Sequence, residues 1–68
     1  MTDAIGHAAG EIWRYLEKHG KQTVSQLQKG TKLSSQILYL GLGWLAREDK
    51  ITFIQERRSV WVSLRGGS

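Results

Sequence analysis

TVSQLQKGTKLSSQILYLGLGWLARED, Thr23 to Asp49, reads as two capped helices joined by a tight turn, and that reading decides the fold. Thr23-Val24-Ser25-Gln26 has the form of a capping box, in which the Thr23 hydroxyl accepts from a first-turn N–H and Gln26 reaches back to the Thr23 N–H. A short helix to about Lys29 follows, with Val24 and Leu27 as its core contacts. Gly30-Thr31-Lys32 is expected to turn the chain ahead of Leu33 and a second capping serine, Ser34. In the longer helix that Ser34 opens, Leu38, Leu42 and Leu45 share one face at roughly 100° per residue, with Gly41 at its margin. Ile37, Leu40 and Trp44 form a second apolar stripe where a surface helix would be charged. Two stripes imply two partners, the domain's own core and one further surface.

Upstream, Thr2 or Asp3 can cap a first helix in which Ile5, Ala8, Ala9, Ile12 and Leu16 recur on one face, and which ends near His19 before Gly20. Gly6 and Gly10 are unexpected there, since glycine costs about 1 kcal/mol in a helix interior. They share a face with Trp13, so close approach of another element is one explanation and tolerance near a frayed end the other. Downstream of Lys50 the pattern alternates and becomes β-branched and aromatic. Ile51–Ile54 and Val60–Leu64 read as two strands, joined by a polar tip of Gln55-Glu56-Arg57-Arg58-Ser59. Val60, Val62 and Leu64 should share an inward face with Ile51 and Phe53, leaving Ile54 and Trp61 on the other. The domain is placed at residues 1–65, with 66–68 a flexible C-terminal tail.

Sixty-eight residues suffice for one domain with a thin core, burying about 60% of the unfolded chain's surface. No cysteine is present, so a disulfide scaffold or thiolate metal site is excluded and a reducing, cytoplasmic setting is expected. No stretch has the length of a membrane span, and the N-terminus does not read as a signal peptide. Ten Lys and Arg against six Asp and Glu give a net charge of +4, which suits a polyanionic partner without requiring one.

Helix, capped short helix, turn, longer helix and an Arg-tipped hairpin, in this order, resemble a winged helix-turn-helix domain over about residues 3 to 64. The expected class is therefore α+β, three helices followed by a two-stranded β-hairpin wing. IWRYLEKHG (Ile12–Gly20) and TVSQLQKGTKLSSQILYLGLGWLAREDKI (Thr23–Ile51) are similar to a family of small bacterial winged helix-turn-helix proteins without assigned function. The resemblance implies that the longer helix is a recognition helix entering the DNA major groove, while the wing touches the backbone or minor groove. Ser35 and Gln36 are then the base- or phosphate-contacting side chains, Gln36 having the amide that pairs with adenine. The helix has no Lys, Arg or Asn between Ser34 and Ala46, so the phosphate-contacting set is Lys29 and Lys32 beside the turn and Arg57 and Arg58 at the wing tip, with Lys21 and Lys50 as further candidates. Turns and hairpin tips also carry charge for solubility alone.

Gly41-Leu-Gly43-Trp-Leu-Ala46 matches the G-x-G-x-x-A dinucleotide fingerprint, but it falls in mid-helix rather than between a strand and a helix, and is rejected. His7 and His19 lie about 120° out of phase on the first helix with no third ligand, so no metal is expected. No nucleophile, base and carboxylate are brought together by any motif, so no catalytic residue, cofactor or small-molecule substrate is assigned. Two functions compete. One is a module for double-stranded DNA, in transcriptional control and bound chiefly through phosphates. The other is homodimerisation or contact with another protein through Ile37, Tyr39, Leu40 and Trp44, which would occlude the reading face of the same helix.

Overall fold

The computed structural model describes residues 2–65. Its elements are α1 (Thr2–His19), β1 (Gln22–Thr23), α2 (Val24–Thr31), α3 (Ser35–Arg47), β2 (Ile51–Glu56) and β3 (Ser59–Leu64). α1 already contains Thr2 and Asp3, so Asp3 is a first-turn acid facing the helix dipole rather than a cap. The capping box of α2 forms as read: the Gln26 N–H donates to Thr23 Oγ1 at 3.0 Å and the Thr23 N–H to Gln26 Oε1 at 2.9 Å. Ser34 caps α3 by accepting from the Ile37 N–H at 3.3 Å.

Ile12, Leu16, Leu27, Leu38 and Val62 are fully buried, so every element except the short β1 and β2 sends a side chain to the centre of the core, and β2 adds the buried Ile51. α3 lies against α1 with very little between them. A Cβ on Gly41 would stand 2.8 Å from Ile12 Cδ1 and 3.3 Å from both Ala8 Cβ and the Ala9 N, closer than packed carbons sit. The other glycines answer differently. Gly43, Gly6 and Gly10 have nothing within 4 Å of a would-be Cβ, so of the two explanations for Gly6 and Gly10 close approach is the one the packing does not support. Gly30 is not the turn residue it was expected to be. It lies inside α2, where a side chain would run into the Tyr15 ring, and the turn is made by Lys32, which caps α2 in the left-handed conformation at φ 61°.

α3 ends in a Schellman arrangement: Asp49 is left-handed at φ 62°, its N–H donates to the Ala46 carbonyl at 3.1 Å and the Lys50 N–H to the Leu45 carbonyl at 2.9 Å. The sheet has three strands rather than two, in the order β1-β3-β2, because Gln22 and Thr23 pair with Val62 and Trp61 of β3. Two residues carry no readable period, so β1 has no sequence signature.

β2 and β3 are antiparallel, with Ile51 opposite Leu64 and Glu56 opposite Ser59. The connecting turn is therefore only Arg57-Arg58, tighter than the expected tip, and Arg57 takes φ 51°. Phe53 and Val60 lie on the inward face as expected, but the hairpin overhangs the small core and leaves Phe53 46% exposed. Trp61 and Ile54 pair on the opposite face, where Lys21 Nζ stands 5.0 Å from the centre of the Trp61 ring. Arg65 is anchored: its N–H donates to the Lys50 carbonyl at 2.8 Å and its guanidinium pairs with Asp49. The tail expected at 66–68 lies outside the described residues.

Candidate nucleic-acid interface

α2 and α3 are held at a fixed angle by their caps and by one side-chain bridge, in which Gln28 Nε2 donates to Ser35 Oγ at 2.8 Å. That bond occupies a lone pair of the Ser35 hydroxyl and leaves its proton free to donate outward. From Ser35 the exposed flank of α3 continues through Tyr39 to Gly43, each four residues and a little over one turn further on. This flank forms one wall of a groove. Thr23, Ser25 and Gln28 of the α2 region close one end, and Phe53, Arg58 and Val60 of the hairpin form the facing wall.

Arg58 is thus brought across the groove from α3, whereas Arg57 turns to the other side of the wing, beside Glu56, Ser59 and Trp61. Lys29 occupies the last turn of α2 and Lys32 its C-cap, both exposed and neither lining the groove. Gln36 is exposed near the start of α3. Of the two further candidates, Lys21 is occupied over Trp61, and Lys50 lies beside Trp44 at the far end of α3.

Among the described residues His7 contacts Glu11 at 3.5 Å and Arg65 pairs with Asp49, so Lys29, Lys32, Arg57 and Arg58 make no intramolecular ion pair. Two of these four hold left-handed backbone, a conformation that suits glycine or asparagine and costs other residues roughly 1–2 kcal/mol. Asp49, the remaining non-glycine residue of this kind, has its side chain engaged with Arg65. Lys32 and Arg57 have no such internal engagement. Neither α2 nor α3 has an acidic side chain in its first turn, so the positive ends of both helix dipoles are uncompensated.

The four residues expected to form one apolar interface are not brought together. Ile37 and Trp44 differ by about 20° around the helix, whereas Tyr39 is about 160° from Ile37. Tyr39 accordingly faces the wing groove, while Trp44 borders a second groove between α1 and α3, with Gly6, Gly10 and Trp13 on its other wall. Leu40 lies between the two flanks, and Ile37 is only partly exposed. Ser35, Tyr39 and Gly43 thus lie on a different flank from Trp44, whereas Gln36 stands one turn before Leu40, between the two.

Capped helices at a tight turn, a third helix packed across them and a two-stranded hairpin wing beside the exposed flank of α3 define a winged helix-turn-helix domain. The chain belongs to the winged helix-turn-helix domain family DUF2582, whose model matches residues 1–64. It is 38% identical over 65 residues to the uncharacterised protein MJ1608 of Methanocaldococcus jannaschii, a match covering 91% of this chain and 90% of that one. Its fold is similar to the solution NMR structure of protein BT2368 from Bacteroides thetaiotaomicron, with a TM-score of 0.85 and 26% identity over 94% of this chain and 78% of the other. No group of three or more His, Cys, Asp or Glu that could hold a metal occurs among the described residues, and no described helix is long and apolar enough to cross a membrane.

Proposed function

We propose that this chain is a double-stranded-DNA-binding module of cytoplasmic transcriptional control that holds the duplex chiefly by its phosphates. The observation that carries the reading is the wing tip, where Arg57 and Arg58 are consecutive in a two-residue turn and make no intramolecular ion pair, Arg58 facing α3 and Arg57 the other side of the wing. Lys29 and Lys32 extend the phosphate-contacting set to the α2 end, and Ser35 and Gln36 supply the limited base or phosphate contact that α3 offers. A winged helix domain is typically a non-enzymatic DNA-binding fold, and the reading assigns no reaction to this chain.

The test is fluorescence anisotropy of a labelled random duplex at two salt concentrations. Arg57→Ala with Arg58→Ala should weaken binding and flatten the dependence of log K on log salt by up to about two units. Absence of binding by the unmutated protein at low salt would overturn the reading. A second reading, contact with a protein through Ile37, Leu40 and Trp44, is favoured by one observation: Trp44 is 42% exposed beside a groove whose glycines leave it open. A partner or second copy on that flank is compatible with DNA on the other.

A further inference from the structure

Gly43 is the least explained residue of α3. It lies in a helix interior with ordinary helical backbone, where glycine costs about 1 kcal/mol against alanine, and no neighbouring atom lies within 4 Å of a Cβ placed there. Its effect is on the groove. Because residue 43 has no side chain, the α3 wall is bare beyond Tyr39, and the facing wall carries Phe53 and Val60. Tyr39 is 61% exposed, Phe53 46% and Val60 37%. No acidic side chain lines this groove, and Arg58 is its one charged residue.

Duplex DNA has little use for such walls. Its bases are stacked on one another with their faces hidden, and a phosphate pressed against Phe53 and Val60 would lose water without gaining a donor. An unpaired nucleotide presents both things the groove offers to meet, a flat aromatic face for Tyr39 and Phe53 and a phosphate for Arg58. We propose that the groove between α3 and the wing binds single-stranded nucleic acid, with bases laid against Tyr39 and Phe53 in the space that Gly43 leaves and the backbone held by Arg58. Gln28 and Ser25 stand at the α2 end of the groove, where amide and hydroxyl can meet base edges or sugar oxygens. This inference goes beyond the duplex reading, with which it shares Arg58 and the exposed flank of α3.

The test uses labelled oligo-dT and oligo-rU of about ten nucleotides beside a hairpin duplex, with anisotropy as the readout. The expected result is binding of one or both single strands, lowered about 5- to 150-fold by Tyr39→Ala and by Phe53→Ala. Tyr39→Phe keeps a ring in place and should retain most of the affinity. Gly43→Leu should weaken binding while leaving or raising the melting temperature, a combination that a merely structural glycine cannot give. The dT and rU arms tell DNA from RNA. Should a variant fail to fold, 15N chemical-shift mapping on the unmutated protein decides: shifts centred on Tyr39, Gly43 and Phe53 support the proposal and shifts elsewhere overturn it. Absence of single-strand binding at low salt, or binding that the aromatic variants and Gly43→Leu leave unchanged, also overturns it. Duplex binding that depends on Arg57 and Arg58 but not on the two rings would leave the DNA reading standing and remove this one.

Discussion

Replacing Gly41 and Gly43 by alanine, one at a time, should stabilise this domain at Gly43 and not at Gly41, although both residues sit in the same helix. Each substitution gains the helix preference of alanine over glycine, about 1 kcal/mol. At Gly43 nothing opposes that gain, because no atom lies within 4 Å of the new methyl. The melting temperature of Gly43→Ala should therefore rise by about 4–8 °C, the response expected of a domain this small. At Gly41 the methyl would arrive 2.8 Å from Ile12 Cδ1 and 3.3 Å from the Ala9 backbone nitrogen. The Ile12 terminus can rotate only into a fully buried surrounding, and the backbone cannot yield without moving α1. Overpacking of this kind costs about 1–3 kcal/mol, so Gly41→Ala should range from neutral to about 2 kcal/mol less stable. The difference between the variants isolates the packing cost, since the propensity gain cancels. Urea titrations followed by circular dichroism at 25 °C would measure it, with unchanged m-values confirming that midpoints report stability. Equal stabilisation of both variants would refute the reasoning, because it would mean that α1 and α3 do not approach so closely at Gly41.

Further outcomes follow from the caps, the wing and the exposed flank. Thr23→Ala removes the acceptor of the α2 capping box and should lower stability by about 1 kcal/mol, read as a loss of about 4–8 °C in a thermal melt. Arg57→Asn places a residue tolerant of φ 51° at the hairpin turn and should raise stability by about 0.5–1 kcal/mol while weakening duplex binding, opposite signs that calorimetry and anisotropy would register on one variant. Leu40→Glu with Trp44→Glu should lower stability by less than a core substitution does, since the two side chains are 41% and 42% exposed, and a fall of about 2–5 kcal/mol for either residue in a urea titration would show that the flank belongs to the core.

Much of the architecture was legible because it is local. The capping box at Thr23 and Gln26, the cap at Ser34 and the stripe of Leu38, Leu42 and Leu45 depend on residues within a few positions of one another, and all stand where their spacing puts them. The candidate site was legible in part. Arg57 and Arg58 were recognisable at a hairpin tip, but that Arg58 faces α3 while Arg57 does not depends on the twist of a two-residue turn. Tyr39 and Trp44, alike in residue type, stand about 140° apart around α3 and line different grooves.

Sequence by itself determined the number and kind of the helices, the N-caps of the second and third, the inward leucines and the arginines at the wing, because propensity, capping and periodicity act over distances of a few residues. Only the tertiary structure decided what each glycine is for. Gly41 admits α1, Gly30 admits the Tyr15 ring, and Gly43 leaves a groove wall bare, three roles for one residue type that differ only in what lies opposite. It also decided that Gln22 and Thr23 form a strand and that Phe53 overhangs the core, since pairing and burial are set by residues far away in the chain.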